Sequence, residues 1–153
     1  KVSIVNLDFE SPTLKEIVQP PYDLIVSSSA LQWANDIEAM IRFTSLTCKE
    51  GAFAIFTDKT FQTLYETSGL PTFLPSAKTL ISLFESYFTC QYEIKSFQLS
   101  FESTLELLRY IKRSGVSGGE KKLTVSQMRS LMQNYPHSHL EFEVLFVWGK
   151  PKL

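Results

Sequence analysis

The chain has 153 residues, 44% of them hydrophobic and 20% charged, with a formal net charge of −1. That length suits one domain, and the apolar fraction supplies a core and excludes a disordered chain. The balanced charge leaves no global footprint for nucleic acid, no apolar run approaches the roughly 20 residues that span a membrane, and no cleavable signal opens the chain.

Lys1 to Leu7 reads as a strand, and Asp8 to Pro12 as the turn that ends it. A short helix from about Thr13 to Val18 stops at Pro20-Pro21. Asp23 to Ser28 is a continuous apolar run of the kind that suits a central parallel strand, buried on both faces. Asn35 and Glu38 have capping-box spacing, and Ile37, Met40 and Ile41 carry a helix to about Cys48, with Gly51 as a left-handed cap. Ala52 to Phe56 is a second apolar strand. Strand, helix, strand, helix, strand is the rhythm of a parallel sheet with crossover helices.

The middle of the chain becomes helical, over Thr60 to Thr67 and again at Leu80, Leu83, Phe84, Tyr87 and Phe88, an apolar face at helical spacing. Tyr92 to Phe101 alternates as a strand. Ser103 with Glu106, and Thr124 with Gln127, are further capping boxes that open helices ending at Ser114-Gly115 and Tyr135-Pro136. Phe142, Val144, Phe146 and Trp148 then alternate in a last strand. The two cysteines, Cys48 and Cys90, are far apart and read as packed thiols of a reduced, cytoplasmic protein. His137-Ser138-His139 has no cysteine or carboxylate support as a metal pair, so it reads as a loop and no metal is expected. Ser117-Gly118-Gly119 lacks the spacing of a phosphate loop.

The run Tyr22 to Trp33, Y-D-L-I-V-S-S-S-A-L-Q-W, resembles the fourth strand and following loop of S-adenosylmethionine-dependent methyltransferases. Leu107 to Val116 and Leu140 to Phe146 are similar to a helix-then-glycine segment and the last strand of the malonyl-acyl-carrier-protein O-methyltransferases of biotin synthesis. The resemblance implies an α/β chain: a Rossmann-like methyltransferase sheet lacking its first strands, with a helical lid inserted between late strands. Residues 1–59 would hold strands three to five, 60–91 and 102–139 the lid, and 92–101 and 140–149 the last two strands, all in one partial domain. The family's E/D-x-G-x-G cofactor loop has no counterpart among the six glycines. Aligning Asp8 with the family's acidic residue after strand three would put two strands upstream of Lys1, and the chain as given is then expected to bind cofactor poorly.

By this resemblance S-adenosylmethionine would meet Asp8 and Phe9 at its adenine, and Ser27, Ser28 and Ala30 near its methionine end. Asp8 also reads as a plain turn cap. Gln32, Trp33 and Arg109 are the candidates for substrate: Gln32 as a donor to an acceptor carboxylate, Trp33 as a wall, Arg109 as a cation for the second oxygen. A tryptophan there is more often core, and an arginine there more often a solvated helix face. Phe61, Tyr65 and Phe73 could line the substrate, although helical stripes are usually core. The basic residues Arg109, Lys112, Arg113, Lys121 and Lys122 would complement an acidic acyl-carrier protein bearing a malonyl group, or are ordinary surface charge. The expected reaction is methylation of the malonyl free carboxylate in biotin precursor synthesis. Another small carboxylate such as aconitate, or a non-catalytic binding role, are the alternatives. Neither nucleic acid nor membrane is expected as a partner.

Overall fold

The computed structural model describes residues 4–18, 20–114 and 124–152. Its elements are α1 (Pro12–Ile17), β1 (Tyr22–Ser28), a 3-10 turn (Leu31–Trp33), α2 (Ile37–Thr47), β2 (Cys48–Phe56), α3 (Gln62–Ser68), α4 (Ala77–Tyr87), β3 (Phe88–Ser100), α5 (Thr104–Ser114), α6 (Val125–Asn134) and β4 (His139–Pro151). The four strands form one sheet in the order β1-β2-β4-β3. β1 and β2 pair in parallel, from Tyr22 opposite Cys48 to Ser28 opposite Ala54, with α2 between them in sequence. A parallel pair needs such a crossover, because a tight turn cannot join the ends. The α/β class expected from the sequence is therefore the one observed. Among the described residues no helix is long and apolar enough to cross a membrane.

The chain divides into two compact units, to both of which β3 and β4 contribute residues. The first comprises Lys1–Ile55, Lys78–Glu93 and Phe146–Leu153. Its core gathers Ile41 of α2, Phe53 and Ile55 of β2, Leu80 and Phe84 of α4, Phe88 and Val147. Phe53 meets the rings of Phe84 and Phe88 at 4.8 and 5.6 Å between centroids, in the tilted and edge-on arrangements that aromatic quadrupoles favour. The second unit comprises Phe56–Ala77 and Ile94–Leu145. There Phe61 and Leu64, Leu107, Leu108 and Ile111 of α5, and Leu131 of α6 close on Tyr135 and Leu140. Of the apolar helical faces read in the sequence, Leu80 and Phe84 line the first unit's core, and Phe61 and Leu64 line this one.

Several boundaries differ from the sequence expectation for identifiable reasons. Residues 4–7 are not in a strand, and residues 1–3 lie outside the described residues. β1 carries the continuous apolar run, yet it stands at the edge of the described sheet, with Leu24 55% and Val26 65% exposed. Gly51 is no helix cap: α2 passes directly into β2 at Cys48, and Gly51 sits inside that strand. A Cβ there would fall 2.6 Å from the Phe53 ring, so the glycine serves close packing. The left-handed glycine that ends a helix is Gly69, after α3. The Ser103 hydroxyl accepts from Glu106 N as expected, but the Glu106 carboxylate returns to Glu102 N. The box of Thr124 and Gln127 closes in both directions. Residues 117–119 lie outside the described residues.

Candidate functional site

Ligands of open α/β sheets gather beyond the carboxyl ends of parallel strands. At that end of β1, Ser27 and Ser28 complete the strand, and Ser29 N donates to Ala54 O at 2.9 Å, one step past it. Ser29 then adopts φ 54°, a left-handed conformation that costs a side-chain-bearing residue free energy. This reversal leads through Ala30 into the 3-10 turn, where Trp33 N donates to Ala30 O and Ala34 N to Leu31 O. Gln32 lies in that turn, only 6% exposed, and both its amide nitrogen and its amide oxygen lack any hydrogen-bond partner. Buried amides are nearly always satisfied, so this one is an exception. Trp33, beside it, is exposed rather than part of a core.

The turn over residues 8–11 belongs to the same unit. Asp8 is exposed, its Oδ1 accepts from Glu10 N at 2.9 Å, and its carbonyl accepts from Ser11 N. Phe9 is half-buried. The residue that ties this turn to the loop after β1 is Glu10, which the sequence reading did not single out. Its carboxylate accepts from Asn35 N at 3.1 Å, Asn35 Nδ2 at 2.7 Å and Asp36 N at 3.1 Å. The Asn35 and Asp36 backbone amides hold its carboxyl below the usual glutamate range. Asn35 is consequently not the helix cap. Asp36 is, its side chain accepting from Ala39 N. Glu38, read as the partner in that box, instead accepts from the Tyr87 hydroxyl at 2.8 Å.

Arg109 belongs to the second unit. It is exposed on α5 together with Lys112 and Arg113, at spacings that share one helix face, while Lys121 and Lys122 lie outside the described residues. In this unit Phe61 is fully buried, Tyr65 packs against the same core with its hydroxyl pushed up by burial, and Phe73 is exposed. The free thiols of Cys48 and Cys90 are both raised by burial, which removes thiolate character at neutral pH. His137 and His139 have a carboxylate neighbour after all, Glu141.

No family model matches the chain. It is 30% identical over 135 residues to the malonyl-acyl-carrier-protein O-methyltransferase of Bacteroides helcogenes, across 85% of this chain and 46% of that protein. It is 26% identical over 142 residues to the protein of the same name from Chlorobium phaeovibrioides, across 88% of this chain and 55% of the relative. The chain thus spans about half the length of the curated relatives it matches. Among solved structures, Haemonchus contortus phosphoethanolamine N-methyltransferase 2, in complex with phosphomonomethylethanolamine and S-adenosylhomocysteine, superposes on 88% of this chain and 34% of its own, at 13% identity and a TM-score of 0.45. A Bacillus halodurans structure assigned as a methyltransferase covers 86% of this chain and 67% of its own, at 10% identity and a TM-score of 0.48. The α/β assignment stands on the strand order and the parallel pair, independently of these superpositions. Across most of its length the chain resembles the malonyl-acyl-carrier-protein O-methyltransferases, as its own motifs led one to expect.

Proposed function

We propose that the chain is part of an S-adenosylmethionine-dependent O-methyltransferase that esterifies the free carboxylate of a malonyl group on an acyl-carrier protein, a step in biotin precursor synthesis. The observation that carries this reading is Gln32: a buried amide with neither end satisfied, at the ligand-binding end of a parallel strand, in a chain whose curated relatives bear that name.

The residues present fit part of a cofactor site. The left-handed turn at Ser29 brings backbone to the strand end, and the exposed Asp8 carboxylate is available as an acceptor. Asp8 and Phe9 on one side, with Ser27, Ser28 and Ala30 on the other, would hold the two ends of the cofactor. The glycine loop that would take its remaining part is not in this sequence. The cofactor supplies an electrophilic methyl group, and a carboxylate is already nucleophilic at neutral pH, so no general base is required. The protein's part is then alignment and exclusion of water. Gln32 Nε2 would donate to one acceptor oxygen and leave the other to react. Trp33, beside it in the same turn, would wall the acceptor. Lys112 and Arg113 would meet the acidic carrier protein, where complementary charge speeds encounter.

The test is incubation with methyl-labelled S-adenosylmethionine and malonyl-acyl-carrier protein, with aconitate as a parallel acceptor. Two proteins are compared: this chain, and a version extended upstream with an E/D-x-G-x-G segment. Mass spectrometry reads the methyl ester on the malonyl group. Ester formation by the extended protein, lost in Gln32→Leu, is expected. Ester on aconitate alone would reassign the acceptor, and failure of both proteins to bind S-adenosylhomocysteine would overturn the reading.

A further inference from the structure

Both histidines of the chain and a glutamate meet where β4 begins. His139 and Glu141 lie two apart in β4, where alternate side chains share a face, and His137 precedes them across the bend at Ser138. One potential ligand atom from each lies within 4.8 Å of the other two. The imidazoles are already stacked, with centroids 4.6 Å apart and planes 11° from parallel.

Their backbone is held from two sides. Phe101 N donates to Ser138 O at 2.7 Å, and the Tyr135 hydroxyl donates to the His139 carbonyl at 3.1 Å. The glutamate adds a second, independent observation. One of its oxygens accepts from the Thr63 hydroxyl on α3, whereas Oε2 is buried and has no partner. A buried carboxylate oxygen without a donor is unfavourable, and a cation is the natural remedy.

We propose that His137, His139 and Glu141 bind a divalent transition-metal ion of the zinc class. Two imidazoles and one carboxylate are a donor set that selects zinc and its neighbours over calcium or magnesium, which take oxygen ligands. Tetrahedral bonds of about 2.0–2.1 Å place ligand atoms roughly 3.3 Å apart, so small imidazole rotations close the present spacing. The remaining coordination falls to water. Glu141 is tied through Thr63 to α3, so the ion would link the entry of β4 to that helix within the second unit. It would therefore stabilise the folded chain by mass action. This inference is independent of the methyltransfer reading.

The experiment uses the chain freed of affinity tag and stripped with chelator. Zinc is titrated by calorimetry, and cobalt is followed by its visible absorption. Stoichiometric one-to-one binding is expected, with a raised unfolding temperature and at least a tenfold loss of affinity in His139→Ala and in Glu141→Gln. Because the chain has only two histidines, the imidazole nitrogen resonances of the unsubstituted protein report without any variant. Both should shift on zinc addition. Absence of saturable binding, unmoved histidine resonances, or unchanged affinity in a folded His137→Ala/His139→Ala variant would overturn the proposal.

Discussion

Gln32 shows how one side chain can weigh function against stability. An unsatisfied buried amide costs about 1–3 kcal/mol, and Met matches Gln in length without the polar atoms. Gln32→Met is therefore expected to raise the unfolding free energy by about 1 kcal/mol in urea titration while abolishing ester formation by the upstream-extended protein. A gain in stability with activity retained would make Gln32 a packing residue and remove the main support for the acceptor site. Glu10 offers a test of opposite character, in pH. Its carboxyl is lowered in the folded chain from its ordinary value of 4.5 by the amides of Asn35 and Asp36. A depressed carboxyl contributes stability above its unfolded value, and the contribution is lost as pH falls through the lower folded one. The amide resonances of Asn35 and Asp36 should hence be constant near neutrality and move together only in acid, below that ordinary value. In Glu10→Gln that joint transition should vanish. Neither residue's role was legible in the sequence to the same degree. Gln32 stood in a recognisable run, but Glu10 acquires its role from partners 25 and 26 residues away.

Elements were legible where their signal is local. The capping residues of α6, the strand β4 and the amphipathic α4 and α5 all lie within a few positions of sequence, and the structure has them there, although burial in β4 shifts from Val144 to Leu145 and Val147 and leaves Trp148 exposed. What joins elements was not legible. Thr60 Oγ1 accepts from Glu143 N and donates to Glu143 O, a pairing 83 residues apart that anchors the turn before α3 to β4. Phe61 follows at φ 57°, and its N–H donates to Glu141 O at 2.8 Å. A left-handed phenylalanine is unfavourable by itself, and it persists because the ring is fully buried and meets Phe142 edge-on at 5.0 Å. Gly149 carries the element-scale prediction. A Cβ added there would fall 2.6 Å from Cys90 Cα and against the Thr89 carbonyl oxygen, so the obstacle is the backbone of β3 rather than a movable side chain. Gly149→Ala should destabilise the chain by about 2 kcal/mol, as overpacking does. Thermal unfolding checks it, and an unchanged midpoint would mean that the strands separate at no cost.

For the whole molecule, sequence pattern conveyed class but not arrangement. The apolar run of β1 reads as a strand covered on both faces, because periodicity reports what a strand could bury and not which neighbour is present. Sheet order decides that, and here β1 is the first strand of β1-β2-β4-β3. Tyr22, Leu24 and Val26 alternate along it, so they share a face, and all three are exposed. An edge strand that also offers an apolar stripe is a template for pairing with another chain. The chain by itself is expected to self-associate with rising concentration, and light scattering would detect it. Val26→Lys should suppress the scattering, since a lysine on an edge face opposes stacking of strands. Val26 is 65% exposed, so the substitution removes little burial and stability should change by no more than about 0.5 kcal/mol. The pair of outcomes separates causes. Lower scattering with unaltered unfolding assigns the association to the native edge. Lower scattering only when the fold is also destabilised, or a monomer at every concentration, would show that the β1 stripe drives no association.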